Sequence, residues 1–292
     1  MLVTLVGLAF LFGLILKRVG LPPMVGFLLA GFVFNLSGFE SPDGLSMISQ
    51  LGVTLLLFSI GLKLDFKSLA NNEIWGVSLA HIFTSTLFYA GVLWLSKVLI
   101  PSTIFDVSPF VIVLVAFALS FSSTVYAVKV LEDRDDMRAF YGKVAIGILI
   151  MQDIFAVIFL TVSEAKYPTV WALSLLLLPV IRKIMFKLLD AVGHGELLVL
   201  SGLFFALGAG FEYFSLIGIK GDLGALVFGA LLASHPKAGD LSKSLFSFKE
   251  LMLVGFFLSI GMQGLPTPTI IFVSLFLCAL LPFKTFFYYL IL

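Results

Sequence analysis

Charge is scarce in this 292-residue chain: charged side chains make up 12%, about half the share usual in a soluble domain. With 60% hydrophobic residues and a mean hydropathy of +1.15, the apolar side chains cannot all be hidden in one soluble core. The composition is that of an integral membrane protein. A formal net charge of +1 leaves no concentrated basic surface to compete for phosphates, which argues against nucleic acid as a partner. The one cysteine, Cys278, excludes an internal disulfide framework, and its apolar run reads as the setting of a packed thiol. Three scattered histidines and that cysteine do not supply the metal set or nucleophile that a membrane-embedded enzyme needs. A secretory leader is lacking too. The N-terminal apolar run has Lys17 and Arg18 after it rather than before it, so it reads as a retained span.

What the chain has in quantity is apolar runs of about 16 to 25 residues between charged or Pro/Gly-rich breaks. They predict an all-α membrane protein of about eleven helices, near residues 2–17, 21–36, 46–62, 74–99, 108–131, 138–162, 169–189, 196–214, 221–234, 248–264 and 269–292. Several are short for a full crossing. Loops after odd-numbered helices gather Lys and Arg, from Lys17 and Arg18 after the first to Lys237, Lys243 and Lys249 after the ninth. The opposite side carries only Lys97, Lys166 and Lys220. By the positive-inside tendency the crowded side is cytoplasmic, which puts the N-terminus outside. The 32 Phe residues read as lipid-facing bulk.

The second and third helices contain GFLLAGFVF (Gly26 to Phe34) and LLLFSIGLKLD (Leu55 to Asp65). The ninth and tenth contain GALVFGALLA (Gly224 to Ala233) and LVGFFLSIGMQG (Leu253 to Gly264), at nearly the same separation. On the orientation above, the second helix runs outward and the ninth inward, so the copies have opposite topology. Inverted repeats of this kind are an architecture of secondary transporters, whose ion sites lie where broken helices meet near the membrane midplane. Packing of small residues between membrane helices would also repeat such glycines.

Asp153, with its neighbour Gln152, sits near the middle of the apolar run Val144 to Val162. A carboxylate at that depth is costly unless it binds something, which points to a transported cation or proton. The fifth span is interrupted by Ser122, Ser123 and Thr124, hydroxyls able to satisfy freed backbone groups where a helix breaks. One helix descending and one rising bring Ser123 and Asp153 to similar depth. A carboxylate with amide, hydroxyl and carbonyl oxygens suits a hard, weakly held monovalent ion. Protonation and cation binding then compete for one carboxylate.

These residues resemble a known family. FALSFSSTVYAVKVLEDR (Phe117 to Arg134), GKVAIGILIMQDIFAV (Gly142 to Val157) and LFSIGLKLD (Leu57 to Asp65) are similar to stretches that mark the monovalent cation:proton antiporter-2 family. Its Kef-type potassium efflux branch matches best, and GALVFGALLAS (Gly224 to Ser234) and FFLSIGM (Phe256 to Met262) extend the likeness through the second half.

The resemblance implies a Na+/H+-antiporter-like inverted-repeat fold with discontinuous helices, about 11 of about 13 transmembrane helices lying in this sequence. Residues 1–292 would form one exchange domain: repeat one over about 1–165, a linker helix over about 166–192 and part of repeat two over about 193–292. Two further helices and a cytosolic nucleotide-binding regulatory domain or subunit would complete it. The resemblance also implies that Asp153 and Gln152 bind the ion with Ser122, Ser123 and Thr124 nearby. Lys284 stands where the family carries a charge-compensating base; snorkelling to the membrane surface is the alternative. A homodimer in the lipid of a bacterial-type inner membrane is implied, with potassium or sodium and protons as cargo and no cofactor.

Kef-like members carry Gln where sodium-selective relatives often have Asn or a second Asp, so through the Gln152-Asp153 pair the resemblance implies an electroneutral, potassium-preferring exchanger. A sodium/proton antiporter, or a ligand-gated potassium efflux channel without obligatory exchange, are the alternatives. Where Kef members carry an acidic regulatory loop, this chain has an expected loop, His235 to Glu250, with Lys237, Lys243 and Lys249 against Asp240 and Glu250. The likeness therefore does not extend to glutathione-type gating. His81, in the apolar fourth helix, reads as a hydrogen-bonded packing residue.

Overall fold

The structure, a computed structural model, describes residues 2–63, 72–99, 107–122, 127, 131, 134, 136, 139–163 and 169–291. Among them every regular element is helical: α1 (Leu2–Arg18), α2 (Pro23–Leu36), α3 (Leu45–Leu62), α4 (Asn72–Leu99), α5 (Pro109–Ser120) and α6 (Phe140–Ser163) come first. A 3-10 stretch, Val170–Leu177, leads into α7 (Leu178–Val192), followed by α8 (Glu196–Leu216), α9 (Gly221–Leu232), α10 (Ala238–Gly261) and α11 (Pro268–Ile291). Among the described residues, five segments are long and apolar enough to cross a bilayer: Leu45–Leu62, Ile74–Leu99, Glu196–Leu216, Ala238–Gly261 and Pro268–Phe287. The chain is a multi-pass membrane protein.

Two expectations, on the tenth helix and on Cys278, are corrected. The tenth helix begins at Ala238, not near residue 248, so most of the expected loop His235 to Glu250 is helical. Its charged residues interrupt the apolar run, yet Leu241 and Leu245 recur at helical spacing and are both fully buried. The break expected in the fifth span follows Ser120, where α5 ends, and Ala127 and Leu131 beyond it are helical again. Cys278 lies exposed on α11 rather than packed inside.

The helices fall into two compact units, residues 1–64 with 164–265, and residues 65–163 with 266–292. In the first, α3 packs on α9 and α10, and α2 on α1 and α10. Leu55, Phe58, Phe205, Phe228, Leu241 and Leu245 belong to its main core. At two of these crossings close approach is set by paired glycines. A Cβ at Gly31 would stand 2.6 Å from Leu258 O and 2.9 Å from Gly261 Cα; one at Gly61 would stand 2.3 Å from Leu226 O and 2.9 Å from Gly229 Cα. Only a residue without a side chain lets these backbones meet. The two crossings join α2 to α10 and α9 to α3 through matching positions of the repeated sequences. Polar bonds reinforce them: Asn35 Nδ2 donates to Met262 O at 3.0 Å, Ser259 Oγ to Ser49 Oγ at 3.0 Å, and buried Thr54 Oγ1 to Asp222 Oδ1 at 3.1 Å.

In the second unit α4 packs on α5, α6 and α11. At Gly147 of α6 the Ile74 side chain lies 2.7 Å from where a Cβ would be, so the missing side chain lets α4 and α6 draw together. The Trp75 ring meets Phe155 edge-on at 5.7 Å beside that contact. Tyr89 Oη donates to Leu280 O at 3.4 Å, and Phe88 stacks against Phe283 and Phe287 at 5.4 and 5.2 Å, which fastens α11 to α4.

Candidate functional site

The site lies in the second unit, at the end of α5. This helix starts with Ser108 as its cap, the side chain accepting from Val111 N at 3.3 Å, and with Pro109 at its first position. Its 12 residues rise about 18 Å, a little over half of the ~30 Å hydrocarbon thickness. After Ser120 the chain turns extended, with Phe121 at φ −79° and ψ 153°. Backbone groups are thereby released from the helix inside an apolar bundle and need partners from elsewhere. Phe117 packs on Phe121 at 4.8 Å and on Phe159 of α6 at 4.4 Å, holding the break against α6.

Two long polar side chains meet the freed backbone. Gln152, twelve residues into α6 and fully buried, accepts from Ser122 N at 3.0 Å through Oε1 and donates to Ser120 O at 3.4 Å through Nε2. Lys284 of α11, only 8% exposed, donates through Nζ to Leu119 O at 3.2 Å and also to Phe121 O. A cation there faces the negative end of the α5 dipole. Lys284 thus turns inward to the break instead of snorkelling outward. Pro282, two residues earlier, removes a backbone donor from α11 near this point.

Of the site residues expected from the sequence, the structure brings together Gln152, Ser122 and Lys284. Asp153 follows Gln152 on α6. Ser123, Thr124 and the side chain of Asp153 lie outside the described residues. One participant was assigned only a packing role. His81 of α4 is fully buried; its Nδ1 lies 3.5 Å from Gln152 Nε2, and its Nε2 lies 3.3 Å from Ser85 Oγ. The signal for it was present in the sequence, because Ser78, His81, Ser85 and Tyr89 recur at three- and four-residue spacing and so mark one polar face of an apolar helix.

Chemically, the break gathers backbone and amide oxygens, with the Lys284 ammonium held among them. Such a set suits a single small cation held by oxygen atoms. Residues 6–292 match the family model described as sodium/hydrogen exchanger, transmembrane.

Proposed function

We propose, from the premise that this chain belongs to the transmembrane sodium/hydrogen exchanger family, that it is a Kef-type secondary transporter exchanging potassium for protons at Asp153 by alternating access. Members of that family are cation/proton antiporters, not enzymes. The observation that carries the proposal is the helix break at Phe121, bound on one side by Gln152, the neighbour of Asp153, and on the other by Lys284.

In this mechanism the Asp153 carboxylate takes either a cation or a proton. The oxygens of the break, with Ser122, Ser123 and Thr124, replace part of the ion's hydration shell, and Lys284 balances the site when the cation has left. One carboxylate serving two cargoes at an alternating-access site is sufficient for exchange. The paired glycine crossings, Gly31 with Gly261 and Gly61 with Gly229, support an inverted-repeat scaffold, since a two-fold relation between the repeats would generate both from one. The chain would act as a homodimer in an inner membrane with its N-terminus outside, joined to a cytosolic nucleotide-binding regulatory domain or subunit.

A second reading, sodium in place of potassium, is favoured by the description of the matching family. Both are tested on full-length protein in lipid vesicles carrying an internal pH dye, pulsed with potassium or sodium. A potassium pulse is expected to move protons in wild type and not in Asp153→Asn. Exchange that persists in the variant refutes the role of the carboxylate, and a response to sodium alone selects the second reading.

A further inference from the structure

Among the described residues, Ser122, Ser120 and His81 bear on how the Gln152 amide is turned. The Ser122 N–H can only donate, so it selects Oε1 at 3.0 Å; the Ser120 carbonyl can only accept, so it selects Nε2 at 3.4 Å. With Nε2 directed to His81 Nδ1 at 3.5 Å, that ring nitrogen has to accept. The ring proton then sits on His81 Nε2, 3.3 Å from Ser85 Oγ, and the ring also meets the Lys284 backbone. His81, Ser85 and Gln152 are all fully buried, so no water competes for these groups at the surface.

The three neighbours are not equivalent. Ser120 and Ser122 belong to the break itself, whose backbone groups are those that a cation would engage. His81 belongs to a different helix. We propose that His81, beside Ser85, is a positioning residue for the ion site: its Nδ1, accepting from Gln152 Nε2, reinforces the amide orientation that Ser120 and Ser122 select, so that the carbonyl, and not the NH2, is presented at the break. A cation arriving there meets the negative end of the amide dipole; with the amide reversed it would meet two N–H groups. This rests on the exchanger reading and adds to it a second layer of the site on α4, beside ligands whose geometry depends on such outer partners.

Two polar variants of similar fit distinguish positioning from packing. His81→Asn places an amide oxygen close to where Nδ1 lies and keeps an acceptor for Gln152. His81→Gln carries its amide to the Nε2 position, towards Ser85, and leaves Gln152 Nε2 without that acceptor. The cation KM and kcat for exchange are measured separately in dye-loaded vesicles, with thermal melting of each purified protein alongside. His81→Asn is expected to stay near the wild-type KM, and His81→Gln to raise KM by about ten- to a hundredfold while kcat stays close to wild type. Equal KM values in the two variants, or a change confined to melting temperature, overturn the proposal. Wild type and Asp153→Asn run in the same series separate the two ideas. A wild type that exchanges and an Asp153→Asn that is silent leave the exchanger reading standing whichever way the His81 variants behave.

Discussion

The glycine crossings of the first unit allow a sharp test, because their geometry gives the cost of one added methyl group. A Cβ at Gly229 would lie 2.2 Å from Phe58 O and 3.0 Å from Gly61 Cα, and one at Gly261 would lie 2.3 Å from Leu28 O and 2.9 Å from Gly31 Cα. Both fall well short of the 3.4 Å at which ordinary van der Waals contact begins, and the obstructing atoms are backbone, which cannot rotate away. Each Gly→Ala change therefore forces two helices apart, at about 1–3 kcal/mol for overpacking, less whatever alanine returns in helix propensity. The four single variants are expected to lose similar stability. The pairing predicts more: Gly31→Ala and Gly261→Ala oppose each other at one crossing, so once the first has parted the helices the second costs less. Gly31→Ala with Gly61→Ala, at different crossings, should add. Thermal unfolding in detergent measures all six proteins, with Gly7→Ala as a control because nothing lies within 4 Å of its added Cβ. Additive losses for the facing pair, or singles as stable as wild type, would refute the idea that these contacts set the helix spacing.

Two further outcomes follow from the break in α5. Gln152→Leu removes the acceptor of Ser122 N and the donor to Ser120 O in one step; leaving either group unpaired costs about 1–3 kcal/mol, and cation KM in the vesicle assay is expected to rise or exchange to stop. Unchanged KM would remove Gln152 from the site. Lys284→Met frees Leu119 O and Phe121 O and is expected to abolish exchange, with Lys284→Arg retaining a measurable fraction; equal activity in Met and Arg variants would show that the charge has no part in transport.

Most of the helix positions were readable from the chain, because apolar runs of membrane-spanning length separated by charge have few other structures open to them. α3, α4, α6 and α11 begin and end within a few residues of where hydropathy puts them. Reading failed at the start of α10, where Asp240 and Lys243 look like a loop but lie exposed on a helix whose other face carries Leu241, Leu245 and the buried Lys249. It failed also at Cys278, since an apolar run does not tell which of its faces meets the bundle.

The amino-acid sequence by itself determined the solvent, the helical class, the costly carboxylate at Asp153 and the weak point in α5, because each is a local matter of hydropathy, burial cost or hydrogen-bonding capacity. Which side chains would answer the broken backbone was decided only by the tertiary structure. Gln152, Lys284 and His81 come from three helices far apart in the chain, and no spacing along it states that Lys284 turns inward or that His81 faces Gln152. Those choices follow from how α5, α6 and α11 each pack on α4. That packing depends on Gly147 beside Ile74 and on the Phe88 and Tyr89 contacts with α11, surfaces that exist only once the helices have met.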